Sequence, residues 1–276
     1  MITRDKDFLR IRPLVKVRLF TLAVFVTGCG VAANAKHDVS AQATGTGEWR
    51  RVAAWPQLPA NVVLGPVTDM AISSQGHVFV LHRANRELNE QGLADTTAIE
   101  EPVVLVVDGQ TGALLHAWGS AVFRLPHSIS IDSKENVWIT DVGRQQVLQF
   151  SASGQLLRTV GTRGVGGADS THFDLPTDVA VSSDGSFFVS DGYRNARVVA
   201  FSADGIFEVA WGAKGLGPGQ FRLPHGIARD AQGRIYVADR ENGRIQSFSS
   251  RGQYLAQWRP GGATARVGDV AIVPVG

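Results

Sequence analysis

Phe123-Arg124-Leu125-Pro126-His127-Ser128-Ile129-Ser130-Ile131-Asp132 returns as Phe173-Asp174-Leu175-Pro176-Thr177-Asp178-Val179-Ala180-Val181-Ser182. It returns again as Phe221-Arg222-Leu223-Pro224-His225-Gly226-Ile227-Ala228-Arg229-Asp230, so the prolines lie 50 and 48 residues apart. After each copy comes a polar turn and an alternating run: Val137–Asp141, Phe187–Asp191 and Ile235–Asp239. A third run follows at Gln146–Phe150, Arg197–Phe201 and Arg244–Phe248, and a fourth ends at Val160, Trp211 and Trp258. Four short strands of period two, repeated about every 40–50 residues, describe the blades of an all-β propeller. One blade cannot bury both of its faces, whereas a ring of blades can.

A divergent unit precedes these three. Its strands are read at 67–73, 77–83 and 103–108, with a fourth running from Leu114 to Trp118. The insertion at 84–101 is expected to project as a polar surface loop. At the far end only 267–273 starts another unit, giving four complete blades and one opening strand. Trp49–Pro56 reads as an edge strand that would pair with 268–273, as N-terminal strands often do in closed propellers. An open ring leaves edge strands exposed, so a homo-oligomer that completes the ring is a second expectation.

The chain has 276 residues, with 27 Lys and Arg, 25 Asp and Glu, and one Cys. The apparent basicity sits at the front: beyond residue 28 there are 21 basic and 23 acidic residues. No basic footprint is left in the body, which argues against nucleic acid as a partner. A single cysteine excludes an internal disulfide framework.

Residues 1–35 read as an export signal, with a basic stretch ending at Arg18 and an apolar run from Leu19 to Val26. That run is too short for a mature bilayer span. Val26-Thr27-Gly28-Cys29 resembles a bacterial lipobox, while Ala33-Asn34-Ala35 offers an ordinary cleavage site. The only cysteine falls at the lipobox position, which favours lipidation. The protein is thus expected to be exported, as a membrane-anchored lipoprotein or a periplasmic or extracellular protein. Residues to about 48 form a tether, and 49–276 form the propeller.

His127 and His225 occupy the same place in two repeats, at the start of an innermost strand. Two imidazoles crowding a central channel suit a metal site, but they suit simple turn residues as well. Asp141, Asp191 and Asp239 end the second strands and read as turn chemistry. Arg83, Tyr193 and Arg240 break the repeat at that same end, which makes them the stronger functional candidates. Trp118, Trp211 and Trp258 share the end of the fourth strand and read as packing between blades.

The repeats resemble NHL repeats, and residues from about 49 to 273 resemble the peptidyl-α-hydroxyglycine α-amidating lyase family. The motifs that carry the likeness include Leu125-Pro126-His127-Ser128-Ile129, Trp138-Ile139-Thr140-Asp141-Val142 and Pro176-Thr177-Asp178-Val179. Two more are Val189-Ser190-Asp191-Gly192-Tyr193-Arg194-Asn195 and Val237-Ala238-Asp239-Arg240-Glu241-Asn242-Gly243-Arg244. The resemblance implies a six-bladed propeller that cleaves a peptidyl-α-hydroxyglycine, or a related small carbinolamide, to an amide and glyoxylate. It implies zinc, matched by His127 and His225, a catalytic tyrosine at Tyr193, and substrate arginines at Arg83 and Arg240. It also implies a calcium ion held by the carbonyls of Met70 and Ile129 and the carboxylate of Asp269. The chain departs from the family at the third zinc histidine, where it has Gly268, leaving that place to His82 or water. It lacks a further blade. Arg194, Tyr236 and Ser247 stand where cysteines are expected.

Two readings follow. One is a zinc lyase. The other is a non-catalytic NHL propeller that binds a peptide, glycan or envelope protein, with a lactonase or streptogramin-type lyase as a weaker third.

Overall fold

A computed structural model describes residues 55–86, 97–260 and 265–274, and the backbone of 15–18. Four four-stranded antiparallel sheets follow one another along the chain. Blade 1 comprises Val67–Ile72, His77–His82, Val104–Asp108 and Leu114–Trp118. Blade 2 comprises Pro126–Ile131, Val137–Asp141, Gln146–Phe150 and Leu156–Val160. Blade 3 comprises Pro176–Val181, Phe187–Asp191, Arg197–Phe201 and Phe207–Trp211. Blade 4 comprises Pro224–Arg229, Ile235–Asp239, Arg244–Phe248 and Tyr254–Trp258. The innermost strands of neighbouring blades face one another around an axis, which is the propeller arrangement.

The alternation in each middle strand explains the stacking. Phe79, Leu81, Val104 and Val106 of blade 1 meet Ile129, Val137, Ile139, Leu148 and Phe150 of blade 2 in one buried cluster. The opposite side of blade 2 gives Trp138 and Val147 to Val179, Phe187, Val189, Val199 and Phe201 of blade 3. Trp118 packs 5.0 Å from Phe150, and Trp211 lies 5.9 Å from Phe248, each across a blade boundary. Each tryptophan covers the glycine of the next blade's outer turn, Gly154 (φ 89°) and Gly252 (φ 82°). A Cβ on Gly252 would stand 2.6 Å from the Trp211 ring, so this turn requires glycine on two counts.

Two expectations are corrected. The chain around Trp55 docks on blade 1 rather than completing the last blade: Gln57 bridges Ala113, and its amide donates to the Gly112 carbonyl at 2.8 Å. Trp55, Leu58 and Val62 cover Val78, Val80, Leu105 and Val107, the face of blade 1 that no preceding blade shields. The strand at Ala271–Pro274 instead pairs with Val15–Arg18, antiparallel. Residues 49–54 and the rest of the export signal lie outside the described residues. The insertion is also not wholly a surface loop. Its end is drawn inward, with Ile99 buried between blades 1 and 2 and its amide bonded to the Phe123 carbonyl at 2.8 Å. Residues 87–96 lie outside the described part.

Each inner strand is interrupted by a bulge at one repeat position. The register slips between Val67 and Asp69, Pro126 and Ser128, Pro176 and Asp178, and Pro224 and Ile227. A bulge leaves one residue out of the ladder and re-aims its side chain. The residues placed there are Thr68, His127, Thr177 and, within a longer slip, His225.

Candidate functional site

The loops that enter the first strand of each blade, and those joining the second to the third, share one end of the ring. Asp141, Asp191 and Asp239 build that end, and the turn reading of these residues holds. Asp141 accepts the amides of Arg124, Leu125 and Arg144 at 2.7, 3.0 and 3.0 Å. Asp191 takes the Asp174 amide at 2.9 Å and pairs with Arg197 at 2.9 Å. Asp239 takes the Arg222 amide at 2.9 Å and pairs with the buried Arg244, also at 2.9 Å.

At the inner edge of this scaffold, His127, Tyr193 and His225 meet. The imidazoles lie 4.8 Å apart centre to centre, and the phenol ring stands edge-on to both. Nδ1 of His127 donates to the Thr177 carbonyl at 2.8 Å, and Nδ1 of His225 donates to the Gly268 carbonyl at 2.7 Å. A carbonyl only accepts, so each neutral ring carries its proton on Nδ1 and turns an Nε2 lone pair inward. The Tyr193 hydroxyl lies between these lone pairs, 2.9 Å from His127 and 3.3 Å from His225.

Burial, then the neighbouring imidazole and the two arginines, push His127 well below the usual histidine range. Burial and Arg240 bring His225 down to about 4. Both rings are therefore neutral near pH 7, the form that binds metals.

Arg83 is buried beside them and donates from Nε to the Pro126 carbonyl at 2.8 Å. Its charge and that of Arg240 favour the ionised Tyr193, but burial outweighs both and pushes the phenol above its ordinary value. Arg240 starts a single 3₁₀ turn, Arg240–Asn242, and pairs with Glu241 at 3.1 Å. Glu241 is held from the other side by Arg266 at 2.7 Å.

His82 does not join this group. Its Nδ1 accepts the amides of Ala84 and Gly65 at 3.1 and 3.3 Å. The ring proton then sits on Nε2, which leaves no lone pair for a metal. The described residues contain no group of three His, Cys, Asp or Glu side chains able to hold a metal ion.

One residue further along the inner strands lies a second layer, which the family resemblance marks at Met70, Ile129 and Asp269 and which also holds Asp69 and Asp178. Asp69 accepts the amides of Met70 and Ile129 at 2.7 and 2.8 Å. Asp178 accepts those of Val179 and Ile227, also at 2.7 and 2.8 Å. Asp269 accepts that of Val270 at 2.7 Å and packs over Gly226, where a Cβ would collide with its carboxylate. Burial, reinforced by Asp269, raises Asp69 to about 7. Burial raises Asp178 well above the carboxylate range, and Asp269 and Asp69 add to it. Met70 and Ile129 thus flank Asp69. The signal was in the sequence: Asp69, Asp178 and Asp269 occupy one repeat position in alternate units.

Comparison with known proteins accords with this geometry. The NHL repeat family matches residues 123–150, 173–201 and 221–248, the middle of blades 2, 3 and 4. Over 198 residues the chain is 33% identical to the probable peptidyl-alpha-hydroxyglycine alpha-amidating lyase pgal-1 of Caenorhabditis elegans, covering 68% of this chain and 56% of that protein. The chain is an NHL-repeat propeller similar to the peptidyl-α-hydroxyglycine α-amidating lyases. It is also 37% identical over 219 residues to the peptidyl-glycine alpha-amidating monooxygenase B of Xenopus laevis. That match takes in 74% of this chain but 25% of the frog protein, so the chain spans about a quarter of that relative's length. Among solved structures, a streptogramin B lyase superposes with a TM-score of 0.52 over 74% of this chain and 58% of its own. At 14% identity that likeness shows the propeller fold alone.

Proposed function

We propose that the mouth of this NHL propeller is the active site of a lyase that splits a peptidyl-α-hydroxyglycine into a peptide amide and glyoxylate. The observation that supports it is the meeting of two Nε2 lone pairs at the Tyr193 hydroxyl, flanked by Arg83 and Arg240. The donor set fits zinc in kind: two neutral imidazoles are fixed in the ligating tautomer by backbone carbonyls. It offers two protein ligands where catalytic zinc usually has three. His127 and His225 would hold the ion, with Gly268 leaving one place to a non-protein ligand. Bound zinc supplies a Lewis acid that lowers the pKa of a coordinated hydroxyl.

The chain's own residues supply the rest. Arg83 and Arg240 bind and orient a carboxylate by charge-assisted hydrogen bonds. Tyr193 Oη passes the proton of the substrate hydroxyl towards the departing nitrogen. The hydroxyl O–H and the C–N bond break, the carbonyl of glyoxylate forms, and the amide nitrogen gains the proton.

The test is glyoxylate release from a peptidyl-α-hydroxyglycine by the purified protein, with and without zinc, beside His127→Ala. Zinc-dependent release that His127→Ala abolishes is the expected result. No release from folded protein overturns the lyase reading. It would leave a binding propeller, the second reading, which the Gly268 gap favours. Export belongs to the same proposal, with lipidation at Cys29 tested by mass spectrometry of the mature N-terminus.

A further inference from the structure

In blades 3 and 4 the aspartate that ends the second strand pairs with the arginine that opens the third. Asp191 pairs with Arg197, Asp239 pairs with Arg244, and Asp174 takes Arg194 at 3.5 Å. Blade 2 departs from this pattern. Gln146 stands where blade 4 has Arg244, and Asp141 spends its oxygens on backbone amides. Its arginines lie elsewhere on the same rim. Arg144 is buried and spoken for: it donates to the Val122 carbonyl at 2.6 Å and from Nε to Gln146 at 3.1 Å, the Asp141 charge bears on it, and its own carbonyl accepts the Gly164 amide at 2.8 Å. The Arg124 guanidinium lies over Gly164, with Nε buried and unpartnered, and Arg163 is exposed next to it. The charges of Arg124 and Arg163 both bear on Arg144. Among the described residues, none of the three has a carboxylate within ion-pair distance.

We propose that Arg124 and Arg163 form a subsite on the rim of blade 2 for an acidic side chain of a peptide whose C-terminal end lies at His127 and Tyr193. The proposal rests on the peptide reading of the mouth and adds a substrate class to it. The backbone of Arg124 is three residues from that of His127, a span of at most about 10 Å, and the arginine side chain carries its charge further out, over Gly164. An extended peptide covers the backbone span in about three residues and the added reach in about two more, so the acidic group belongs some three to five positions before the reacting residue. Guanidinium groups suit a carboxylate there because their planar donor forks match its geometry.

The test uses two fluorescein-labelled peptides ending in ordinary glycine, which cannot react. One carries Asp three residues before the end and the other Asn. Anisotropy at low salt with the full-length protein is expected to show the Asp peptide binding about fivefold more tightly, the scale of one or two exposed ion pairs. In Arg124→Gln/Arg163→Gln that preference disappears while the Asn peptide binds as before. Equal affinities in the unaltered protein, a preference that survives in the double variant, or no binding of either peptide overturns the proposal. Absence of glyoxylate release with the preference intact overturns the lyase reading alone.

Discussion

Nδ1 of His225 donates to the carbonyl oxygen of Gly268 at 2.7 Å, so the residue at the position where the resemblance implies a third histidine already orients the second. No atom lies within 4 Å of where a Cβ on Gly268 would stand, and its φ is outside the left-handed region. Gly268→His is therefore expected to fold. It should raise zinc affinity at least about tenfold, the effect of roughly 1.4 kcal/mol from one added ligand. Competition against a chromogenic chelator checks this, and unchanged affinity would count against zinc at the two imidazoles.

Removing the Tyr193 hydroxyl takes away the group that lies between both Nε2 atoms. Tyr193→Phe keeps the ring packed against Leu125, Val142 and Leu175. Thermal stability is expected to stay within about 1 kcal/mol, an ordinary net hydrogen-bond contribution. Glyoxylate release should fall by about 10²–10⁴, the usual weight of a positioned acid or base.

The layer of carboxylates predicts an unusual pH dependence. Asp69 is raised from 3.8 to about 7 in the folded chain, and Asp178 and Asp269 are raised with it. A carboxyl raised on folding contributes stability below its unfolded pKa and loses it as pH rises through the folded one. Asp69→Asn removes this contribution. In EDTA, the stability that the native chain holds over Asp69→Asn should be larger near pH 5 than near pH 8, whereas His82, His127 and His225, held below the usual histidine range, act in the opposite sense in both proteins alike. A difference in Tm between the two proteins that grows from pH 5 to pH 8 would contradict this.

The seams between blades can be tested by a matched pair. Gly252→Ala pushes a Cβ into Trp211 at φ 82°, whereas Gly76→Ala meets nothing within 4 Å at φ 79°. Gly76→Ala should cost about 1–2 kcal/mol for the left-handed backbone alone. Gly252→Ala should cost more, by about 1–3 kcal/mol of overpacking. Urea unfolding of the two variants separates the terms.

The blades were legible because each repeat aligns the same strand in several places. Val137–Asp141, Gln146–Phe150, Arg197–Phe201 and Arg244–Phe248 fall in the structure where the alternation puts them. Periodicity also identifies His127, Tyr193 and His225 as neighbours, since all belong to one end of the ring. What it does not carry is competition for a surface. Trp55 could reach either end of the ring, and the uncovered valines of blade 1 decided where it docks. The ionisation of Tyr193 turns on the balance between burial and two arginines, which spacing does not weigh. The clustering of Asp69 and Asp178 is not legible from strand alternation alone, because it depends on which residues face one another across the axis.

The bulge in the inner strands makes one position in each blade a socket detached from the sheet's hydrogen bonding. Thr68, His127, Thr177, His225 and Gly268 occupy corresponding places, and the complete blades around the first four keep the same strands. Chemistry at the mouth is therefore interchangeable without rebuilding the wall that presents it. A propeller of this design can gain or lose a ligand by a single substitution while remaining the same propeller.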